Sequence, residues 1–253
     1  MSSYTPLDSQ AHRNLRIKVD KNFSHSAEFN LVSLGFNEIA SIGGCMPIVV
    51  TANDINHSHT LAAVVGWPEF GNVYCSNTEW MGHAVPLSIQ SHPFNYAVEQ
   101  DKLTVLFDED SPLISNNSSE GASALFSSDG SPSASLKQYQ SMLTNLASGS
   151  QQASAFIQAL TDLELLSNLS ITLHFENGET RESTGLMTIN EDKLAQLNAD
   201  IIHQLHTQGL LVAINAMMLS LRQYNRLVQL TKSANNPVVK IGLKTNDLLL
   251  VEK

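Results

Sequence analysis

The chain carries nine histidines and two cysteines, side chains that often ligate metals or move protons near neutral pH. Asp54, His57 and His59 fall within six residues. A His-x-His pair on one strand aims both rings at the same face and supplies two metal ligands, with His83 or His92 available as a third. The surrounding ANDINHSHT is rich in turn formers, so the competing reading is a solvated loop between two apolar strands. His203 and His206 stand i,i+3 on a predicted helix, where they either chelate or face solvent. Cys45 and Cys75 lack a CxxC or Cys/His ligand spacing and are read as free thiols, with a bridge between them left open. As nucleophiles they would need a base that the sequence does not place. The adjacent carboxylates of Asp108, Glu109 and Asp110 project in different directions from an extended chain, which makes a shared acid/base pair poor, and they lack the spacing of a calcium loop. GxSxG, GxxxxGK[ST], HExxH and a glycine fingerprint are all missing, so no catalytic residue is assigned and no cofactor is called for.

Aromatic rings give a second constellation. Trp67, Phe70, Tyr74, Trp80, Phe94 and Tyr96 fall within thirty residues that contain no Lys or Arg, with Pro68, Pro86 and Pro93 among them. Prolines hold loops in fixed shapes, and rings so gathered can line a pocket for an aromatic or peptide ligand. The binding candidates are therefore Trp67, Trp80, His83, His92, Phe94 and Tyr96. Core packing explains the same rings equally well.

Charge narrows the partners. The 253-residue chain is 42% apolar but only 15% Asp, Glu, Lys and Arg, against about a quarter in ordinary soluble domains. No Lys or Arg occurs between Lys21 and Lys102, and residues 22–136 hold 12 acids and one base, a net −11 within a total of −10. Polyanion binding needs clustered cations, so nucleic acid and anionic lipid are disfavoured. The plainest reading of the acidity is solubility. The start of the chain lacks the apolar core of a secretory signal, and Leu210–Leu221 is too short to span a bilayer. The expectation is a cytoplasmic protein without membrane insertion; export through a C-terminal signal, which uses no cleaved leader, is left open, as is a homo-oligomer.

The elements that must position these residues read as α+β in one unit over residues 1–253. Residues 1–110 are strand-rich, with a mixed or antiparallel sheet from alternating Leu15, Ile17 and Val19, then MPIVVT, LAAVVGW and KLTVLFD. Residues 25–44, HSAEFNLVSLGFNEIASIGG, fit a short helix or an irregular buried segment better than a strand and are read as helical, ended by Gly43 and Gly44. The Ser-rich stretch 111–135 reads as a surface loop pinned at Leu113, Ile114, Leu125 and Phe126. The half from 136 to 253 is helical with β-hairpins. Two helices are predicted at 136–147 and 151–166, with Phe156, Leu160 and Leu163 at helical spacing. A hairpin turns at Asn177 and Gly178, with Ile171, Leu173 and Phe175 facing the core. Asn190 caps a helix running to about Gln208, which Gly209 ends. An apolar helix over 210–230 follows, then a terminal hairpin turning at Asn246 and Asp247.

Several ordered segments together resemble one family. YTPL at Tyr4, His12, AEF at Ala27, MPIVV at Met46, Trp80 followed by VPLSI and HPF at His92 resemble the bacterial SapC family. So do DEDSPLIS, EGASALFSSDG, FIQALTDLELL, GLMTINEDKLAQL and HTQGLLVAINAMMLSL, and the likeness covers roughly residues 4–230. Where relatives tend to have two arginines and a tyrosine before Pro-Phe, this chain has Gln90, Ser91 and His92, which puts a shared anion-binding role in doubt. Asn190 replaces an Asp with the same capping ability. The resemblance implies a non-enzymatic binding or assembly protein of bacterial surface-layer or outer-membrane receptor systems. The alternative it implies is an accessory or substrate-presenting protein, or an enzyme, working with a flavin-dependent halogenase-like partner on peptides or aromatic molecules. It brings no catalytic residues.

Overall fold

The structure, a computed structural model, describes residues 4–53, 58–76, 79–100, 102–116 and 121–247. Up to residue 124 it runs β1 (Tyr4–Pro6), β2 (Arg16–Lys18), β3 (Leu31–Ser33), α1 (Ile39–Ile42), β4 (Ile48–Asn53), β5 (Ser58–Val64), β6 (Gly66–Trp67), β7 (Gly71–Asn72), α2 (Leu87–Gln90), β8 (Phe94–Glu99), β9 (Lys102–Asp108), β10 (Ile114–Ser115) and β11 (Ala122–Ala124). Then come α3 (Ala134–Asp162), β12 (Leu166–Phe175), β13 (Thr180–Ile189), α4 (Glu191–Gln196), α5 (Ala199–Thr207), α6 (Leu210–Ser220), α7 (Tyr224–Leu230) and β14 (Val238–Asp247). This is an α+β fold with antiparallel sheets, strand-rich at its N-terminal end and helical toward its C-terminal end.

The largest sheet has the order β14-β12-β13-β4-β5-β3, and every neighbouring pair is antiparallel. Ile48–Val50 and Leu61–Val65 are uninterrupted apolar runs because both faces are buried there, a pattern that alternation cannot reveal. On β12, by contrast, Ile171, Leu173 and Phe175 are buried while their neighbours are only half so, and the turn at Asn177 and Gly178 joins it to β13 as expected. Smaller sheets have the orders β1-β9-β8 and β10-β2-β11, with β6 and β7 as a two-stranded ribbon.

Apolar burial divides into two clusters. One surrounds the six-stranded sheet; the other, much smaller, gathers Leu15, Ile17, Phe94, Phe107, Leu125, Phe126, Leu136 and Leu143. Helix α3 belongs to both. Its first half gives Leu136 and Leu143 to the small cluster, and its second half gives Ala153, Phe156, Ile157 and Leu160 to the large one.

That bridging corrects the expectation of two helices at 136–147 and 151–166. Ser148–Gly149–Ser150 does not interrupt α3, because Gly149 is where the 3-10 turn Phe36–Glu38 lies against the helix. A Cβ on Gly149 would stand 2.3 Å from Asn37 Oδ1 and 3.0 Å from Gly35 Cα. The glycine answers a close contact, not a break.

Other boundaries also move. Residues 27–42 form β3, a 3-10 turn and the single turn α1 in place of one helix. The helix expected from 190 to 208 is cut at Leu197, which is extended, and Asn198 caps α5 by accepting from Ile201 N at 2.9 Å. The helix over 210–230 contains a 3-10 turn at Leu221–Gln223. Just before it, the Ser220 hydroxyl donates to the Met217 carbonyl (2.6 Å) and accepts from Ile48 N (2.9 Å), fastening the helix to the start of β4. The terminal hairpin is not found at Asn246 and Asp247: both pair within β14 opposite Asn168 and Ser167, and residues after 247 lie outside those described. The Ser-rich stretch is pinned by buried Leu125 and Phe126, as expected, but also contributes β10 and β11 on either side of β2.

Candidate functional site

Two histidines 67 positions apart meet where the two clusters adjoin. His25 lies in a 3-10 turn, Ser24–Ser26. The Asp20 carboxylate shapes the approach to this turn by accepting from Asn22 N (3.0 Å), Ser24 N (3.0 Å) and the Ser24 hydroxyl (3.1 Å). Ser26, fully buried, donates to the Phe23 carbonyl and accepts from Asn72 Nδ2 at 3.1 Å, which ties the turn to β7. His92 follows α2 and precedes Pro93 through a cis peptide. Helix α2 is placed by Glu38, a buried carboxylate that accepts from Gly35 N (2.8 Å) and Leu87 N (2.7 Å). Burial pushes the Glu38 carboxyl above its ordinary range, although the two N–H groups favour its charged form.

The imidazoles of His25 and His92 stack, with ring centroids 3.9 Å apart and planes 14° from parallel. Burial, with charge on His92 as a smaller cause, holds His25 down to about 4; Asp20 opposes both. His92 is also lowered by burial, against the pull of Asp108 and Asp20. Both rings are therefore mainly neutral at pH 7, which avoids the repulsion two stacked imidazolium rings would feel. Among the described residues neither nitrogen of His25 has a hydrogen-bond partner: the Ile89 carbonyl is near enough to favour the charged form slightly but not in bonding geometry. His92 Nε2 and Ser111 Oγ are hydrogen-bonded at 3.2 Å.

Three cavities share these two rings as a wall. The first, about 460 Å³, opens between α3, β5 and β8 and is lined by Phe29, His59, Phe94 and Tyr96 among others. The second, about 450 Å³, shares Tyr4 and Phe29 with the first and adds Asp20, Asp108, Asp110 and Ser111. The third, about 210 Å³, lies toward Phe23, Gln90, Tyr139 and Met142. Among the described residues no Lys or Arg lines any of them.

A Ser–His pair is half of an acyl-transfer constellation. Its third part is missing among the described residues, because no hydrogen bond or ion pair joins Asp108 to His92. Both cysteines are free, and burial pushes each thiol up, away from the nucleophilic thiolate.

Of the residues singled out in the sequence, His92, Phe94 and Tyr96 come together at the first cavity. Trp67, Trp80 and His83 do not join them. Trp67 is 3% exposed and packs against Phe70, which in turn meets Phe175, in a different part of the large cluster. Trp80 is half-buried, stacks on Tyr74, and donates its indole N–H to the Ala84 carbonyl at 2.8 Å. His83 is exposed beside Gly44. Asp54 and His57 lie outside the described residues; His59 is exposed on β5 and borders the first cavity. Among the described residues no group of three or more His, Cys, Asp or Glu could hold a metal ion, and no helix is long and apolar enough to cross a membrane. Sequence reasoning missed His25, Asp20 and Ser111. The one available signal was the cation-free stretch, which contains both histidines.

The fold and the cleft together define an α+β protein with a histidine-walled, acid-rich recess between two unequal cores. The chain belongs to the SapC family: a family model described as SapC matches residues 7–227. No curated protein and no solved structure matches it.

Proposed function

We propose that the chain is a non-catalytic binding protein of the SapC type, serving bacterial surface-layer or outer-membrane receptor systems. Its ligand, an aromatic molecule or a peptide, seats in the recess walled by His25 and His92. The observation that carries this reading is the shared wall: one stacked pair, with two unpartnered nitrogens on His25, borders three adjoining cavities. Buried polar atoms normally find partners, and convergent polar groups in a ring-lined cavity are what a binding site consists of. The raised thiols, and the lack among the described residues of a carboxylate hydrogen-bonded to His92, support recognition over bond-making.

A second reading has its own support. The first cavity presents Phe29, Phe94 and Tyr96, rings suited to an aromatic side chain, and this favours a chain that presents a peptide or aromatic substrate to a flavin-dependent halogenase-like enzyme.

The test is titration of the full chain with N-acetyltryptophanamide, followed by the ring-proton NMR signals of His25 and His92. Saturable shifts of both signals, lost in His25→Ala, are expected. Absence of saturation would sink the binding site, and consumption of a substrate that stops in Ser111→Ala or His92→Ala would sink the non-catalytic reading. Recovery of a halogenase-like enzyme on the immobilised chain together with peptide would favour the second reading.

A further inference from the structure

We infer a second binding site, beside Trp67: a cavity that takes an uncharged carbonyl compound, a ketone, ester or amide, whose oxygen accepts a hydrogen bond from the Trp67 indole. It goes beyond the function proposed above, because this cavity shares no lining residue with the three that meet at His25.

The inference starts from one unpartnered donor. Trp67 is 3% exposed, and its indole nitrogen is buried with no hydrogen-bond partner among the described residues. A buried indole N–H normally finds an acceptor, because it has given up water and can only donate. Trp80, the chain's other tryptophan, follows that rule through the Ala84 carbonyl. Trp67 instead borders a cavity of about 330 Å³.

The sheet makes room for this cavity. Strands β13 and β4 pair at Leu186–Thr51 and Met187–Val50, and among the described residues no pairing continues to Gly185 and Ala52. At that point β13 carries a bulge: Thr184 and Gly185 together oppose Ser170 of β12, between the pairs Leu186–Leu169 and Ser183–Ile171. Gly185 adopts a φ of 87°, and no atom lies within 4 Å of where its Cβ would stand, so the glycine serves the bend. A bulge turns its strand, and the cavity opens where β13 leaves β4, with β3, β5, β6 and β12 contributing to its lining.

That lining sets the ligand's chemistry. Leu31, Val64, Ile171 and Leu186 make it largely apolar, Thr51 and Ser183 add hydroxyl groups, and among the described residues no Asp, Glu, Lys, Arg or His borders it. A charged ligand would leave water with no counter-charge to meet it. Glu69, which follows Pro68, and Arg181, two positions before Ser183, are bonded to each other at 2.7 Å. The unmet demand is for an acceptor to the indole, and an uncharged carbonyl on an apolar body supplies it.

The test compares three probes of one shape on the full chain: acetophenone, α-methylstyrene, which has a methylene group in place of the ketone oxygen, and the anion benzoate. Binding is read by NMR from the indole N–H signals of Trp67 and Trp80 and from the methyl signals of Leu31 and Ile171. Acetophenone should shift the Trp67 N–H downfield saturably, leave that of Trp80 in place, and bind at least about threefold tighter than α-methylstyrene; benzoate should bind weakest. Trp67→Phe keeps a ring and removes the donor, so the methyl signals should then show the two neutral probes binding within about twofold of each other. Should that variant fail to fold, Ser183→Ile, at a half-buried strand position, is expected to fill the cavity and abolish binding of both. N-acetylleucine methylamide binding tighter than acetophenone identifies an amide as the preferred carbonyl, and weaker binding a ketone or ester. Equal affinity of acetophenone and α-methylstyrene, tightest binding by benzoate, or a Trp67 N–H signal already at its hydrogen-bonded position without probe overturns the carbonyl assignment. Absence of saturable binding by all probes, or binding that persists in Ser183→Ile, overturns the site. Neither result bears on the recess, which the His25 and His92 ring signals report separately.

Discussion

The two apolar clusters of this protein differ in size and in how they are closed. The large one is wrapped on a six-stranded sheet and sealed by α3, α6 and α7, with residues such as Ile48, Val49, Ala63 and Met217 removed from solvent. The small one holds eight buried residues drawn from β2, β8, β9, the segment after β11, and the first half of α3. A large core tolerates little empty space, whereas a small core set beside it cannot match its surface everywhere. The recess around His25 and His92 occupies that mismatch. Its polar side chains come from the turns and strand ends that connect the clusters, so the cleft is a property of the seam.

Truncation in each cluster separates the two. Phe156, fully buried in the large cluster on α3, should cost about 3–5 kcal/mol on replacement by Ala, seen as a lower denaturation midpoint for the whole chain. Phe107→Ala in the small cluster should cost about 3 kcal/mol but act locally. Hydrogen exchange would show β8 and β9 losing protection while β12 and β13 keep theirs. Equal loss of protection in all four strands would show that the clusters form one cooperative unit and that the seam has no separate stability.

Gly149 tests the bridge between them. A methyl group there meets Asn37 Oδ1 and Gly35 Cα inside normal contact distance, so Gly149→Ala should lose about 1–3 kcal/mol through overpacking, despite the higher helix propensity of alanine. A stabilised variant, measured by denaturant midpoint, would mean that the 3-10 turn yields freely.

What the sequence made legible follows the same division. The hairpin at Asn177 and Gly178, the Asn190 cap and the apolar runs of β4 and β9 carry local signals, and local signals suffice where one element decides its own shape. Gly149 was misread because a helix-breaking residue and a contact-permitting residue look alike until the neighbour is known. The aromatic stretch from Trp67 to Tyr96 was continuous in sequence but is divided by the fold: Trp67 and Trp80 go to separate places around the large cluster, and Phe94 goes to the small one. Half of the recess was legible, in His92, Phe94 and Tyr96. His25 was not, because a stacking partner 67 positions away leaves no periodic trace.

The stacked pair makes the seam sensitive to acid. An unfolded histidine takes up its proton near pH 6.5, whereas folded His25 resists until about 4. In the window between these values the unfolded state binds more protons, so stability present above pH 6.5 is lost progressively as the pH falls toward 4. The loss attributable to the pair should be about 1–2 kcal/mol, allowing for its partial exposure. His25→Phe, which keeps a stacking ring and removes the titration, should flatten the pH dependence of the urea midpoint between 6.5 and 4. An unchanged slope would place the acid sensitivity elsewhere.

The smallest effect expected lies farthest from the seam. Asn190 ends β13 and caps α4: its Oδ1 accepts from Lys193 N at 3.0 Å, while its own N–H donates to the Leu165 carbonyl at 2.8 Å. Helix α4 has only six residues and leans on the large cluster through half-buried Leu194. Asn190→Ala removes the cap and should cost about 1 kcal/mol, because the backbone bond to Leu165 survives the change. Since α4 contributes nothing to the small cluster or the recess, the His25 and His92 ring signals and their response to N-acetyltryptophanamide should stay as in the parent. A shift of those signals in Asn190→Ala would show that the seam feels the far side of the large core, and the local account of the recess would have to be replaced by one in which the sheet transmits strain to it.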